Sequence, residues 1–164
     1  MEKERLTLSI ERYDHYYDSI NNKSTVFLTL STFITGGLVA AYPTLLDKVN
    51  CGICIHLLMS SLLALGLAIM ILVAWTSTPF VGRQSYSLLY FDTVGKSTLA
   101  DFSRKSAAET DQEELTDMRT QVHELAAGLS RKFRKLRIAG ILLIIQFYLF
   151  IPLITTIICN LKNK

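Results

Sequence analysis

Three stretches without a single charge set the first limit on this chain: Ser24 to Leu46, Cys51 to Gly82 and Ile138 to Leu161. Each exceeds the roughly 18 apolar residues that a helix needs to cross a bilayer. A helix buried in a water-soluble core keeps a charged face, and none of these runs has one. The expected fold class is an all-α membrane protein with three transmembrane helices. A cytosolic helical bundle or stalk should be continuous with the first and third spans. The boundaries read as a cytosolic amphipathic N-terminal helix over 1–23 and spans over 24–46 and 51–77. A cytosolic helical region over 83–137 and a last span over 138–160 complete the chain.

Charge placement sets the expected orientation. Of the 17 Lys and Arg, four precede Ser24, one lies between the first two runs, ten lie between Gly82 and Ile138, and two follow. Cationic flanks stay in the cytoplasm. The N-terminus and 83–137 are therefore expected inside, and the C-terminus outside. Five cations fall within Arg131 to Arg137. At anionic headgroups each would contribute about 1 kcal/mol. The first run begins too late, and is too long, for a cleaved signal peptide.

The segment from Thr110 to Asn160 reads as one helix in two surroundings. Leu115, Met118, Val122, Leu125, Leu129, Phe133 and Leu136 recur at three- and four-residue steps, the seam of a helix packed on other helices. Thr110 and Glu113 form a capping box. In the arm, Leu6, Ile10, Tyr13, Tyr17 and Ile20 make a second stripe. That stripe lies beside the face of Ser24, Ser31 and Thr35, and its natural partner is the 115–136 seam. Thr98 with Asp101 should open a short helix to Ala108, and Val94-Gly95-Lys96 should turn. Pro43 should end or kink the first span, and Thr78-Pro79 should close the second.

Thr25, Thr29, Thr32 and Gly36, with Ala40, share a narrow sector of the first span. Small and hydroxyl residues let helices approach closely in lipid. This face is expected either to join helices or to line water in an assembled state. Ser60, Ala64 and Ala68 repeat the theme in the second span. Trp75 stands where an interfacial anchor would.

Catalytic chemistry is sparse. The three histidines fall in different segments, and no nucleophile elbow, zinc-binding helix or phosphate-binding loop occurs. Cys51-Gly52-Ile53-Cys54 lacks a second ligand pair for zinc, and with Cys159 it serves either packing or a disulfide. The expectation is no enzyme, no metal and no cofactor. No aromatic–basic ladder points to nucleic acid.

Short motifs recur in a telling order: Asn21-Asn22-Lys23-Ser24 entering the first span, then Leu88-Leu89-Tyr90-Phe91-Asp92-Thr93-Val94 after the second. Phe102, Gln121-Val122-His123-Glu124-Leu125-Ala126 and Lys132-Phe133 follow, leading through Leu136 and Ala139 into the last span. This order resembles the transmembrane effectors of Pycsar, a bacterial anti-phage system that signals with cyclic pyrimidine nucleotides. The resemblance implies an effector that senses cCMP or cUMP from a pyrimidine nucleotide cyclase. It would then impair the inner membrane and abort the infection. Its partners would be the lipid bilayer, the nucleotide and further copies of itself. Such a ligand calls for a cation on its phosphate and an aromatic face on its base. Tyr90, Phe91, Arg119 and Lys132 are the candidates on the cytosolic side, with Lys23 at the membrane edge. The alternatives are a ligand-independent helical membrane adaptor or scaffold, and a holin-like toxin.

Overall fold

The computed structural model describes residues 1–49, 52–78 and 87–161. About 91% of them are helical, and among them no strand occurs beyond one isolated bridge between Val49 and Leu161. The elements are α1 (Glu2–Lys48), α2 (Ile53–Ser77), α3 (Phe91–Lys96), α4 (Leu99–Ala108) and α5 (Asp111–Cys159). Three of these, α1, α2 and α5, are long and apolar enough to cross a membrane. Cys51 and Pro79, to which expectations attach, lie outside the described residues.

Local chemistry explains three of the helix ends. Glu113 Oε2 accepts from the Thr110 amide at 2.9 Å and its hydroxyl at 2.7 Å, and the Glu113 amide donates back to Thr110 Oγ1. This is the reciprocal capping box, satisfying two amides that the first turn leaves open. Thr98 caps α4 by accepting from the Asp101 amide. Thr78 is the C-cap of α2, as expected.

One expectation is narrowed and one corrected. Pro43 does not end α1, which runs on through Lys48. Proline removes one helical hydrogen bond, and packing by Leu38, Tyr42, Leu45 and Val49 holds the helix across that gap. Val94-Gly95-Lys96 is the last turn of α3 rather than a loop turn. Gly95 has no positive φ, and Lys96 Nζ binds Asp92 Oδ2 at 2.6 Å one turn back, a pairing that favours helix.

The chain divides into two units, to which α1 and α5 each contribute. The apolar unit comprises Ile20–Thr78 and Phe133–Lys164. In it α1 and α5 run parallel and α2 returns between their ends. Leu38, Val49, Ile55, Met59, Leu62 and Leu153 form one core cluster. Ile69, Val73, Ala139 and Leu143 form a second. Between them lies a polar layer. Ser31 Oγ donates to the Gly66 carbonyl at 3.0 Å, and Gln146 Nε2 donates to the Leu62 carbonyl at 3.3 Å. Gly66 is required for this approach: a Cβ there would collide with Thr35 Oγ1 and come within 2.9 Å of Gln146 Nε2.

Outside these contacts the unit is greasy. Only 17%, 28% and 17% of the most apolar windows of α1, α2 and α5 are buried inside the chain. Phe33, Ile53 and Tyr148 point outward. Water would not tolerate a surface this apolar, and a bilayer supplies the missing solvent. Lys135 Nζ sits 4.3 Å from the centre of the exposed Trp75 ring, joining α5 to α2 at one end. Tyr42 and His56 share a 2.7 Å hydrogen bond toward the other end. Cys54 and Cys159 are exposed free thiols.

Candidate functional site

The polar unit, Met1–Ser19 with Pro79–Lys132, is built on the pairing that periodicity anticipated. Leu6, Met118 and Leu129 are buried, so the arm stripe meets the α5 seam. The polar bonds fix direction. Arg119 grips Glu2 with Nε and Nη2, each at 2.9 Å, and Lys3 Nζ binds Glu114 at 2.6 Å. Further along, Tyr17 donates to the Leu125 carbonyl at 3.2 Å, and Lys132 Nζ lies 5.5 Å from the Tyr17 ring centre. Partners advance together along both helices, so the pair is parallel.

A second joint was not legible in the sequence. Asp117 Oδ2 accepts from Ser87 Oγ at 2.9 Å, the Leu88 amide at 2.9 Å and the Leu89 amide at 3.3 Å. Ser87 Oγ in turn accepts from the amides of Leu89 and Tyr90. One carboxylate therefore holds the turn that leads into α3. Tyr90 is buried with its hydroxyl unpartnered, and Phe91 is 71% exposed. Their ring centres are 5.1 Å apart.

The expected nucleotide residues are thus dispersed. Arg119 and Lys132 are 13 residues apart on α5, about 20 Å of helix rise. Asp117, which anchors the Tyr90–Phe91 turn, points about 200° around α5 from Arg119. Lys23 belongs to the apolar unit and is exposed. Thr25, Thr29, Thr32 and Gly36 are also exposed, and of these Thr32 still reaches α2, its hydroxyl 3.4 Å from Met70 Sδ. No heavy atom beyond the helix itself lies within 4 Å of a Cβ built at Gly36. The inward face of α1 carries Ser24, Ser31 and Leu38 instead.

An open groove of about 680 Å³ runs past Leu88, Lys105, Glu109, Glu113, Thr116 and Asp117. Its carboxylates outnumber its one lysine, which disfavours an anionic ligand there. Partial burial, then the charges of Asp117, Glu114 and Glu113, raise the Glu109 pKa above the ordinary carboxylate range. Arg119 holds the Glu2 carboxyl below that range, and the Thr110 amide and hydroxyl do the same to Glu113.

These shifts have opposite consequences for stability. Glu2 and Glu113 bind protons less readily folded than unfolded, so their stabilisation is present above the ordinary carboxylate range. It disappears as pH falls through their lowered native values. Glu109 binds its proton more readily when folded. Its cost therefore appears as pH rises from the ordinary range through its raised native value. Glu109→Gln is expected to slow hydrogen exchange in the α4–α5 joint at neutral pH and to leave it unchanged in acid. Glu113→Gln should speed exchange at neutral pH and lose its effect in acid.

Among the described residues no group of His, Cys, Asp and Glu is arranged to hold a metal ion. No curated protein and no solved structure matches the chain. A family model described as the Pycsar effector protein domain matches residues 5–159. That range takes in the arm from Arg5 onward, the Asp117 joint and the membrane-length parts of α1, α2 and α5, while Glu2 and Lys3 of the first joint precede it. The Pycsar effector domain is not a known enzyme family. With three helices fit to cross a bilayer and a domain match along nearly its whole length, the chain belongs to the Pycsar effector family, in its transmembrane form.

Proposed function

We propose that this protein is the membrane effector of a bacterial anti-phage system. It binds a cyclic pyrimidine nucleotide, cCMP or cUMP, made by a pyrimidine nucleotide cyclase, and then impairs the inner membrane so that the infection aborts. The observation that carries this reading is the domain match across 5–159, which unites the polar unit with the three spans. By the distribution of cations, the N-terminus and the polar unit face the cytoplasm, where such a nucleotide would be made.

Arg119 is the leading phosphate ligand of the five candidates. A cyclic phosphate presents two oxygens to a guanidinium much as a carboxylate does, and the Glu2 carboxylate occupies that fork. Phosphate binding would displace Glu2 and release the start of α1 from α5. The ligand thereby favours one arrangement of the pair over the other, which any ligand-driven switch requires. Lys132 would add positive charge farther along α5, and Lys23 at the start of the apolar unit remains a separate candidate. Tyr90 and Phe91, held on another side of α5 by Asp117, would supply the aromatic face for a base only once the polar unit rearranges around the bound phosphate. Copies of the protein would associate through the exposed Thr25, Thr29, Thr32 and Gly36 face, where small side chains permit close contact.

Calorimetry on the detergent-purified full chain tests this with cCMP, cUMP, cAMP and cGMP. One pyrimidine nucleotide should bind saturably. Arg119→Ala should weaken that binding by about 10-fold or more, the usual weight of a charged hydrogen bond. Glu2→Gln should tighten it, because the competing carboxylate is gone. Absence of binding by all four nucleotides would favour the adaptor instead.

A further inference from the structure

The polar layer in the middle of the apolar unit is more than a packing detail. Gln146 is fully buried, as is Ser31, and Ser24 is 1% exposed. Gln146 Oε1, Thr35 Oγ1 and Ser24 Oγ are buried without any hydrogen-bond partner. Gly66, against which the layer packs, lies about halfway along α2. Around Gly66 the closed bundle therefore holds two unsatisfied oxygens, those of Gln146 and Thr35, at the depth where lipid offers them nothing, while Ser24, beside Lys23, lies at the end of the span. Ser, Thr and Gln in membranes ordinarily join helices by hydrogen bonds, so oxygens of this kind left without a partner in the closed bundle call for another arrangement that satisfies them.

We propose that Ser24, Ser31, Thr35 and Gln146 form the lining of a defined aqueous path for water and small hydrated ions when the effector is active. Membrane damage on this view is conduction through the protein rather than general disruption of lipid. The inference rests on the proposed effector function and names the mechanism of its membrane step. Ser24, Ser31 and Thr35 lie in one sector of α1, so a single rotation of that helix turns all three from the core toward a common axis. Gln146 on α5 joins them at the level of Gly66. Three packed helices leave no lumen, so the lining forms between copies. Hydration then supplies the partners that the closed bundle withholds from these oxygens. The outward Thr25 and Thr29 stay with the contact between copies.

The test uses the full chain reconstituted in phosphatidylethanolamine–phosphatidylglycerol vesicles loaded with potassium and a large dextran. The nucleotide that binds in calorimetry is added in one arm. In the other, Gln146→Glu is examined with no nucleotide. That change keeps the side-chain size but places a charge in the layer once the pH exceeds the burial-raised pKa of the carboxyl. In acid, the protonated carboxyl can again donate to the Leu62 carbonyl.

Nucleotide should release potassium and retain dextran. Gln146→Leu combined with Thr35→Val should reduce that release at least 10-fold while nucleotide binding heats persist. Gln146→Glu should leak potassium without nucleotide in alkaline buffer, where the carboxyl ionises, and reseal in acid, a reversal that misfolding would not give. Equal loss of dextran, or release untouched by the double substitution, overturns the path. If nucleotide releases nothing but Gln146→Glu leaks reversibly, the path stands and the nucleotide reading fails. If both arms are silent, the path is overturned.

Discussion

Replacing Gly66 with leucine should open the apolar unit, with the largest loss of stability of any single change in the three spans. Even alanine puts a Cβ in collision with Thr35 Oγ1, 2.9 Å from Gln146 Nε2 and 3.3 Å from Thr35 Cβ. Thr35 can rotate its hydroxyl away, but its Cβ is fixed to the backbone. Overpacking of this kind costs about 1–3 kcal/mol. Alanine offsets it by about 1 kcal/mol through its better helix propensity. The net effect of alanine is a modest loss. Leucine brings the same small offset with several more atoms, so the steric cost dominates and the Ser31–Gly66 hydrogen bond breaks with it. Gly36 provides the contrast, since nothing lies within 4 Å of a Cβ built there. Thermal unfolding in detergent should show Gly66→Leu far below the parent protein, Gly66→Ala slightly below it and Gly36→Ala unchanged or higher. A Gly66→Leu midpoint equal to the parent would mean that α1, α2 and α5 do not approach as described.

The second large effect belongs to Asp117. Its one carboxylate oxygen accepts from Ser87 Oγ and from the Leu88 and Leu89 amides, and Ser87 is only 4% exposed. A hydrogen bond to a charged acceptor contributes about 1.5–3 kcal/mol, and a buried donor left unmet costs a similar amount. Asp117→Ala is expected to destabilise the 87–90 turn by about 3 kcal/mol, or about 100-fold in its opening equilibrium. Hydrogen exchange at Leu88 and Leu89 should accelerate by that factor, while amides in the middle of α2 stay protected. Asp117→Asn keeps an acceptor oxygen without the charge and should fall between the two. Uniform acceleration throughout the chain would instead make Asp117 a determinant of global stability.

Both residues escaped the sequence reading for the same reason. Asp117 is one acid among several at the start of α5, and Gly66 is one glycine in a run of apolar residues. Neither has a local partner that spacing could reveal. Ser87 is 30 residues from Asp117, and Ser31 is 35 from Gly66. Gln146 likewise reaches 84 residues back to Leu62.

What the sequence determined by itself is whatever depends on neighbours along a helix. The Thr110–Glu113 box, the Thr98 cap and the end of α2 at Thr78 are set by residues within one turn of each other. The arm stripe and the 115–136 seam were likewise visible as periodicity, because burial of one helical face repeats every three or four residues. Three uncharged runs were enough to require three helices in lipid, since only a helix meets its own backbone hydrogen bonds there. Tertiary structure decided the rest. It bound Arg119 to Glu2, turned Ser24 and Ser31 inward while leaving Thr25 and Thr29 outside, and set a polar layer between two apolar clusters. Those outcomes depend on which helix faces which, a matter of distant contacts whose energies no local pattern records.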